Sequence, residues 1–136
     1  MSQENVEIVR ELHEHWARGD YTFAESLDPQ IEFSRNGTQV GGVDLEGQWR
    51  GLDAMWAATL EWLRAFEDLR TEAERIIDLG DDRVLALARQ TARGKESGAP
   101  IDHNLGFVFT LHDGKVVRCD LYWDRVDALE AAGLSE

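Results

Sequence analysis

The chain has 136 residues, 43% hydrophobic and 30% charged, with a net charge of −13 and a pI near 4.6. That length fits a single soluble domain over residues 1–136 with a sizeable core. The acidic field repels phosphate backbones and argues against nucleic acid as a partner. No apolar run approaches the roughly 20 residues that cross a bilayer, which argues against a membrane role.

The N-terminal stretch MSQENVEIVRELHEHW is polar and amphipathic, with no basic segment followed by an apolar one, and predicts no signal peptide. Val6, Val9, Leu12, His13 and Trp16 recur at helical spacing, so a helix is expected to about residue 18, broken by Gly19 and Asp20. Residues 21–28 read as a second short helix, with Phe23, Ala24 and Leu27 apolar and Pro29 blocking its continuation. Ile31, Phe33 and Arg35 begin a short strand. Residues 36–48 are glycine-rich and read as a mobile loop, with at most a short strand near Gln48 and Trp49. From Gly51 to Phe66, the residues Leu52, Met55, Trp56, Thr59, Leu60, Leu63 and Phe66 form the clearest helical stripe, with Trp62 on a less buried side.

Residues 70–79 alternate, placing Thr71, Ala73, Arg75, Ile77 and Leu79 on one side of a strand. Gly80, Asp81 and Asp82 predict a hairpin turn, Arg83 to Arg93 the next strand, and 94–100 a glycine-rich connection. Residues 101–134 then read as two long strands joined at Asp113-Gly114, followed by a short helix. Asp-Gly between apolar-rich runs is a strong hairpin signal, because a type I′ turn needs φ > 0 at both central residues. With His112 facing Lys115, uninterrupted pairing puts Val117, Cys119, Leu121 and Trp123 on one face with Thr110, Val108, Gly106 and Asn104. Val116, Arg118, Asp120 and Tyr122 then share the other face with Leu111, Phe109, Phe107 and Leu105. Asp102 and Asn104 would lie on the apolar wall, and His103 and Asp120 on the other side. A bulge between Asn104 and Gly106 would invert this and bring His103 inward. Asp124 and Asp127 resemble a capping box opening a helix over about 125–132, with Gly133 at its C′ position.

Helices followed by a meander of strands imply an α+β fold with one sheet face packed on the helices. A sheet curled around the long helix leaves a conical cavity open at one end. In element order, and most sharply in GKVVRCDLYWDRVDALEAAGL and the preceding RGKESGAPID, the chain resembles the SnoaL-like polyketide cyclases of the nuclear transport factor 2-like superfamily. That superfamily includes ketosteroid isomerases and scytalone dehydratase. The resemblance implies a conical, cystatin-like roll with a curved antiparallel sheet wrapped around helices. It also implies a small apolar ligand in the cone, no cofactor, and a homodimer through the outer sheet face. Function does not follow from fold alone.

Ketosteroid isomerases use a general-base Asp early in the chain and a Tyr plus a protonated Asp as oxyanion donors. Those positions fall here at Leu12, near Ser34 or Arg35, and near Gly106, so steroid isomerisation by that route is not expected. Resemblance to the cyclases implies an acid/base Asp with polar neighbours on the last strands, where Asp102, His103, Asn104 and Asp120 are available. Histidine as a residue type suits proton transfer at neutral pH, which makes His103 a candidate. Trp16, Phe33, Trp56, Thr59, Leu63 and Trp123 are candidates for lining the cone, and Trp49 for closing its mouth. Arg35 and Arg89 each need a partner, either a structural acid or the carboxylate or enolate of a ligand. His13 falls on an apolar helix face and reads as a core histidine, and no histidine spacing suggests a metal. Cys119, the only cysteine, projects to an apolar face, forms no intrachain disulfide and fits a reducing cytoplasm. Three roles remain open: a cofactor-free cyclase, isomerase or dehydratase; a small-molecule binding protein; or a scaffold dimerised through Phe107, Phe109 and Tyr122.

Overall fold

The computed structural model describes residues 2–22, 24–37 and 47–134. Its elements are α1 (Ser2–Ala17), β1 (Leu27–Asn36), β2 (Gly47–Arg50), α2 (Leu52–Ala65), β3 (Phe66–Gly80), β4 (Arg83–Gly94), β5 (Pro100–His112), β6 (Lys115–Tyr122) and α3 (Arg125–Ala131). The glycine-rich loop expected before β2 falls largely outside the described residues, as does Phe23. The strands form one six-stranded sheet in the order β2-β1-β6-β5-β4-β3. All neighbours are antiparallel except β1 and β6, which pair in parallel, so the sheet is mixed rather than wholly antiparallel. None of the described helices is long and apolar enough to cross a membrane.

Two hairpin turns follow from local chemistry. Asp113 and Gly114 have φ of 48° and 78°, and Asp81 and Asp82 have φ of 51° and 59°. Positive φ at both central residues is the type I′ geometry that matches strand twist. Asp124 caps α3 by accepting a hydrogen bond from the Val126 amide at 2.8 Å, and Gly133, at φ 80°, follows its C-terminus.

The described residues of segment 21–28 are not helical. Leu27 already belongs to β1, and Pro29 sits where the pairing of β1 with β6 is interrupted between Leu27 and Glu32. Proline has no N–H to give a ladder, so it is tolerated at such a gap. The single alternation expected along β3 also fails. Register shifts at Asp68, which has φ 54°, and between Ala73 and Arg75 exchange the faces, so Ile76 packs into the main core while Ile77 and Leu79 pack on the opposite side.

A third irregularity has the largest effect. His112 pairs with Lys115 and Leu111 with Val116, but Thr110 pairs with Arg118, leaving Val117 without an opposite residue. Beyond it, Phe109 faces Cys119 and Phe107 faces Leu121. These four side chains therefore share the face packed on Val9, Leu12 and Trp16 of α1 and Met55, Ala58 and Trp62 of α2. The expected pairing of Phe107 with Asp120 and of Phe109 with Arg118 is overturned, and the two phenylalanines supply no outer surface for dimerisation.

The outer face carries a second cluster, in which Ala128 of α3 and Ala132 at its C-cap pack on Leu85, Leu87 and Val108. Gly106 permits this contact, because a Cβ there would lie 2.5 Å from the Ala128 Cβ. Gly106→Ala is therefore expected to displace α3 and cost about 1–3 kcal/mol, read as a lower urea midpoint.

His13 is fully buried against Trp16, Phe107 and Phe109, with ring centroids 4.9, 5.3 and 5.7 Å away, and neither ring nitrogen has a hydrogen-bond partner. It behaves as a neutral aromatic core residue. Burial pushes its pKa from 6.5 down to about 3. The unfolded chain takes up a proton below the higher value and the folded chain does not, so His13 makes stability fall as pH drops toward the lower one. From about pH 7.5 to about pH 5, the wild type should lose about 2 kcal/mol more than His13→Leu in urea denaturation.

Candidate functional site

The concave side of the sheet and the two long helices enclose a chamber of about 60 Å³. Trp16 of α1, Phe33 and Arg35 of β1, Thr59 and Trp62 of α2, and Trp123 after β6 form its principal walls, with Tyr21, Met55, Leu69, Thr71, Gln90, Phe107 and Leu121 completing them. It adjoins an outer cleft of about 330 Å³ between Tyr21, Thr22, Ala24 and Leu27 on one side and the first turns of α2 on the other. Tyr21, Met55 and Thr59 line both.

One polar group in the chamber is a fixed charge. The Arg35 Nη2 donates to the Ala58 carbonyl at 3.0 Å, and its guanidinium carbon lies 5.5 Å from the Phe33 ring centre and 5.0 Å from that of Trp49. Among the described residues no carboxylate lies within ion-pairing distance of it. Burial lowers its pKa, opposed by the field of Glu61, but a guanidinium stays charged in proteins. A single carbonyl satisfies one of its five N–H donors. On the opposite wall, Tyr21 donates to the Leu69 carbonyl at 3.1 Å and lies 2.9 Å from the Thr71 hydroxyl, which accepts from Gln90 Nε2 at 3.0 Å. Since the tyrosine proton goes to Leu69, Thr71 donates its own to Tyr21. Burial pushes the Tyr21 phenol up to about 12, so it stays protonated.

Of the residues singled out in the sequence, Trp16, Phe33, Arg35, Thr59 and Trp123 line the chamber. Trp56 lines the outer cleft instead, and Leu63 packs on the core without reaching either space. Trp62, expected on the less buried side of its helix, is an inner wall. The register slip at Val117 reorganises the candidate catalysts. His103 lies opposite Gln90 and shares its inward face, yet it sits outside the chamber lining and bonds to the Trp123 carbonyl. Asn104 lies opposite Arg89 and Asp102 opposite Thr91, all on the outer face. There Arg89 grips Asp102 through two hydrogen bonds of 2.7 and 2.5 Å, which hold the Asp102 carboxyl below its ordinary range and raise Arg89. Both side chains are half exposed, so this pair does little for stability. Asp120 also faces outward, accepting from the Ser34 hydroxyl at 2.5 Å and from Arg118 at 2.8 Å. Arg118 continues to Glu32 at 3.0 Å, which also meets Arg50. Asp102, Asn104, Arg89 and Asp120 are thus not brought together with the chamber.

Sequence reasoning passed over Tyr21, Gln90 and Thr71. Gln90 had a readable signal, since it extends the inward series Val84, Ala86, Ala88 as its one amide. Tyr21 had none, because it belongs to the segment read as helical. Cys119 is buried, and burial raises its thiol well above the ordinary value, leaving an inert hydrophobe. Among the described residues no group of three or more His, Cys, Asp or Glu is placed to hold a metal ion.

The SnoaL-like domain family matches residues 9–119, and the chain belongs to that family. Solved structures share its nuclear transport factor 2-like fold. An NTF2-like protein of unknown function from Burkholderia pseudomallei is 18% identical, with a TM-score of 0.76 over 93% of this chain and 95% of that one. TerC, co-crystallised with polyporic acid, is 18% identical, with a TM-score of 0.75 over 96% and 98%. A putative SnoaL-like polyketide cyclase from Jannaschia is 21% identical, with a TM-score of 0.72 over 99% and 95%. No curated protein matches the chain.

Thr71→Val keeps the shape but leaves the Gln90 amide without its acceptor, and is expected to cost about 1–3 kcal/mol in urea denaturation.

Proposed function

We propose that this protein binds a small aromatic molecule carrying an ionised or strongly polarised oxygen, such as a carboxylate, phenolate or enolate, with that oxygen on Arg35. The observation that carries this reading is the Arg35 guanidinium, which stands in an aromatic chamber with one carbonyl for a partner and, among the described residues, no carboxylate within ion-pairing distance. An unneutralised charge in apolar surroundings is costly unless something of opposite sign joins it, and a guanidinium presents several donors to an oxyanion at once. The Trp16, Trp62, Trp123 and Phe33 rings suit flat, apolar partners. TerC, of like fold, was co-crystallised with polyporic acid, which is in keeping with an acidic ligand.

The reading is binding rather than acid/base turnover. The described lining offers hydrogen bonds and a fixed positive charge, but no carboxylate, imidazole or thiol, and its one phenol stays protonated. General acid/base catalysis needs a group that exchanges a proton near the working pH.

Biphenyl-4-carboxylate, followed by quenching of the intrinsic tryptophan emission, is a direct probe. It should bind saturably, and about ten- to a hundred-fold tighter than the uncharged biphenyl-4-carboxamide, the difference a charged hydrogen bond supports. Arg35→Met should erase that preference while circular dichroism remains that of the wild type. Undiminished preference in the variant would remove Arg35 from the site and the reading with it.

A further inference from the structure

We infer that the outer cleft is the second half of the same site, and that Trp56 and Asp53 there select a ligand whose far ring bears a hydrogen-bond donor. This rests on the binding reading above and adds the chemistry of the ligand's other end. The inner chamber, at about 60 Å³, is smaller than the cavity of about 150 Å³ that takes up benzene in an engineered protein core. A molecule whose oxyanion reaches Arg35 therefore extends past Tyr21, Met55 and Thr59, the residues common to both spaces, into the roomier cleft.

Two features of the cleft point to its occupant. Trp56 is the one exposed aromatic ring among the described residues, 36% accessible, whereas Met55, Ala58 and Trp62 of the same helix are buried in the core. The fold thus leaves about a third of this residue uncovered where it lines the cleft. Asp53, one turn before it, lines the same cleft and has no ion-pair partner among the described residues. The polarity of the site is therefore reversed from end to end, with a guanidinium inside and a carboxylate outside. Arg35 is tied to the carbonyl of Ala58, five residues along α2 from Asp53, an axial rise of about 7.5 Å. A two-ring molecule spans that distance. With an acceptor at one end and a donor at the other it meets both charges favourably, and with an anion at each end it is repelled at the mouth.

Three biphenyls carry the test, each titrated by tryptophan quenching into the intact protein. 4′-Hydroxybiphenyl-4-carboxylate should bind about ten-fold tighter than biphenyl-4-carboxylate, and biphenyl-4,4′-dicarboxylate measurably more weakly than either. Asp53→Ala should bring all three to nearly equal affinity. Trp56→Ala should weaken the biphenyls and leave benzoate, which has no second ring, as in the wild type. Equal affinities for the three in the wild type, or a ranking that survives Asp53→Ala, would overturn the inference while Arg35→Met still abolishes the acid preference and upholds the binding reading. An acid preference that survives undiminished in Arg35→Met would instead overturn the binding reading itself.

Discussion

Between Leu111 and Thr110 the pairing of β5 with β6 slips by one residue, and the slip leaves Val117 opposite nothing. Side chains in a strand alternate between faces, so one extra residue exchanges the two sides of everything beyond it. Cys119, Leu121 and Trp123 consequently meet the helices together with Phe107 and Phe109. Asp120 turns outward to Ser34 and Arg118. Without the slip Asp120 and Arg118, rather than Leu121 and Cys119, would share the face of Phe107 and Phe109, and the chamber would have different walls.

The same division governs the charges. On the outer face, Arg89 has Asp102, Arg118 has Asp120 and Glu32, and Arg125 has Glu74. Inside, burial keeps His13 and Tyr21 neutral, and the hydroxyl and amide groups of Tyr21, Thr71 and Gln90 satisfy one another. Arg35 is the exception on this side of the sheet. The chamber's chemistry is that of one cation among neutral groups and ring faces.

Legibility in the sequence followed the range of the forces involved. The type I′ turn at Asp113-Gly114, the cap at Asp124 and the stripe of α1 are settled within a few residues, and all three could be read directly. The α+β roll followed from element order and from the C-terminal run. The bulges at Val117 and Glu74 lie at ordinary residues with no preference for such a site, and arise from how long strands share a twisted surface. The rotation of α2 that buries Trp62 and exposes Trp56 is likewise decided by where the sheet lies. The parallel partnership of β1 with β6 depends on a contact some ninety residues apart in the chain. Candidate residues placed by periodicity in helices or by β1 were therefore mostly found near the chamber; of those placed by strand register, Asp102, His103 and Asn104 lie on the face opposite to the expected one, and Asp120 and Trp123 on the expected one.

Trp62 and Trp123 lie 5.2 Å apart with their planes inclined by 41°. Two indoles so close and so inclined share their electronic excitation, which splits into a pair of bands of opposite handedness. The chamber thus carries its own optical signature. A guest that pries the rings apart or tilts them would alter that chiral signal even where it leaves the backbone untouched.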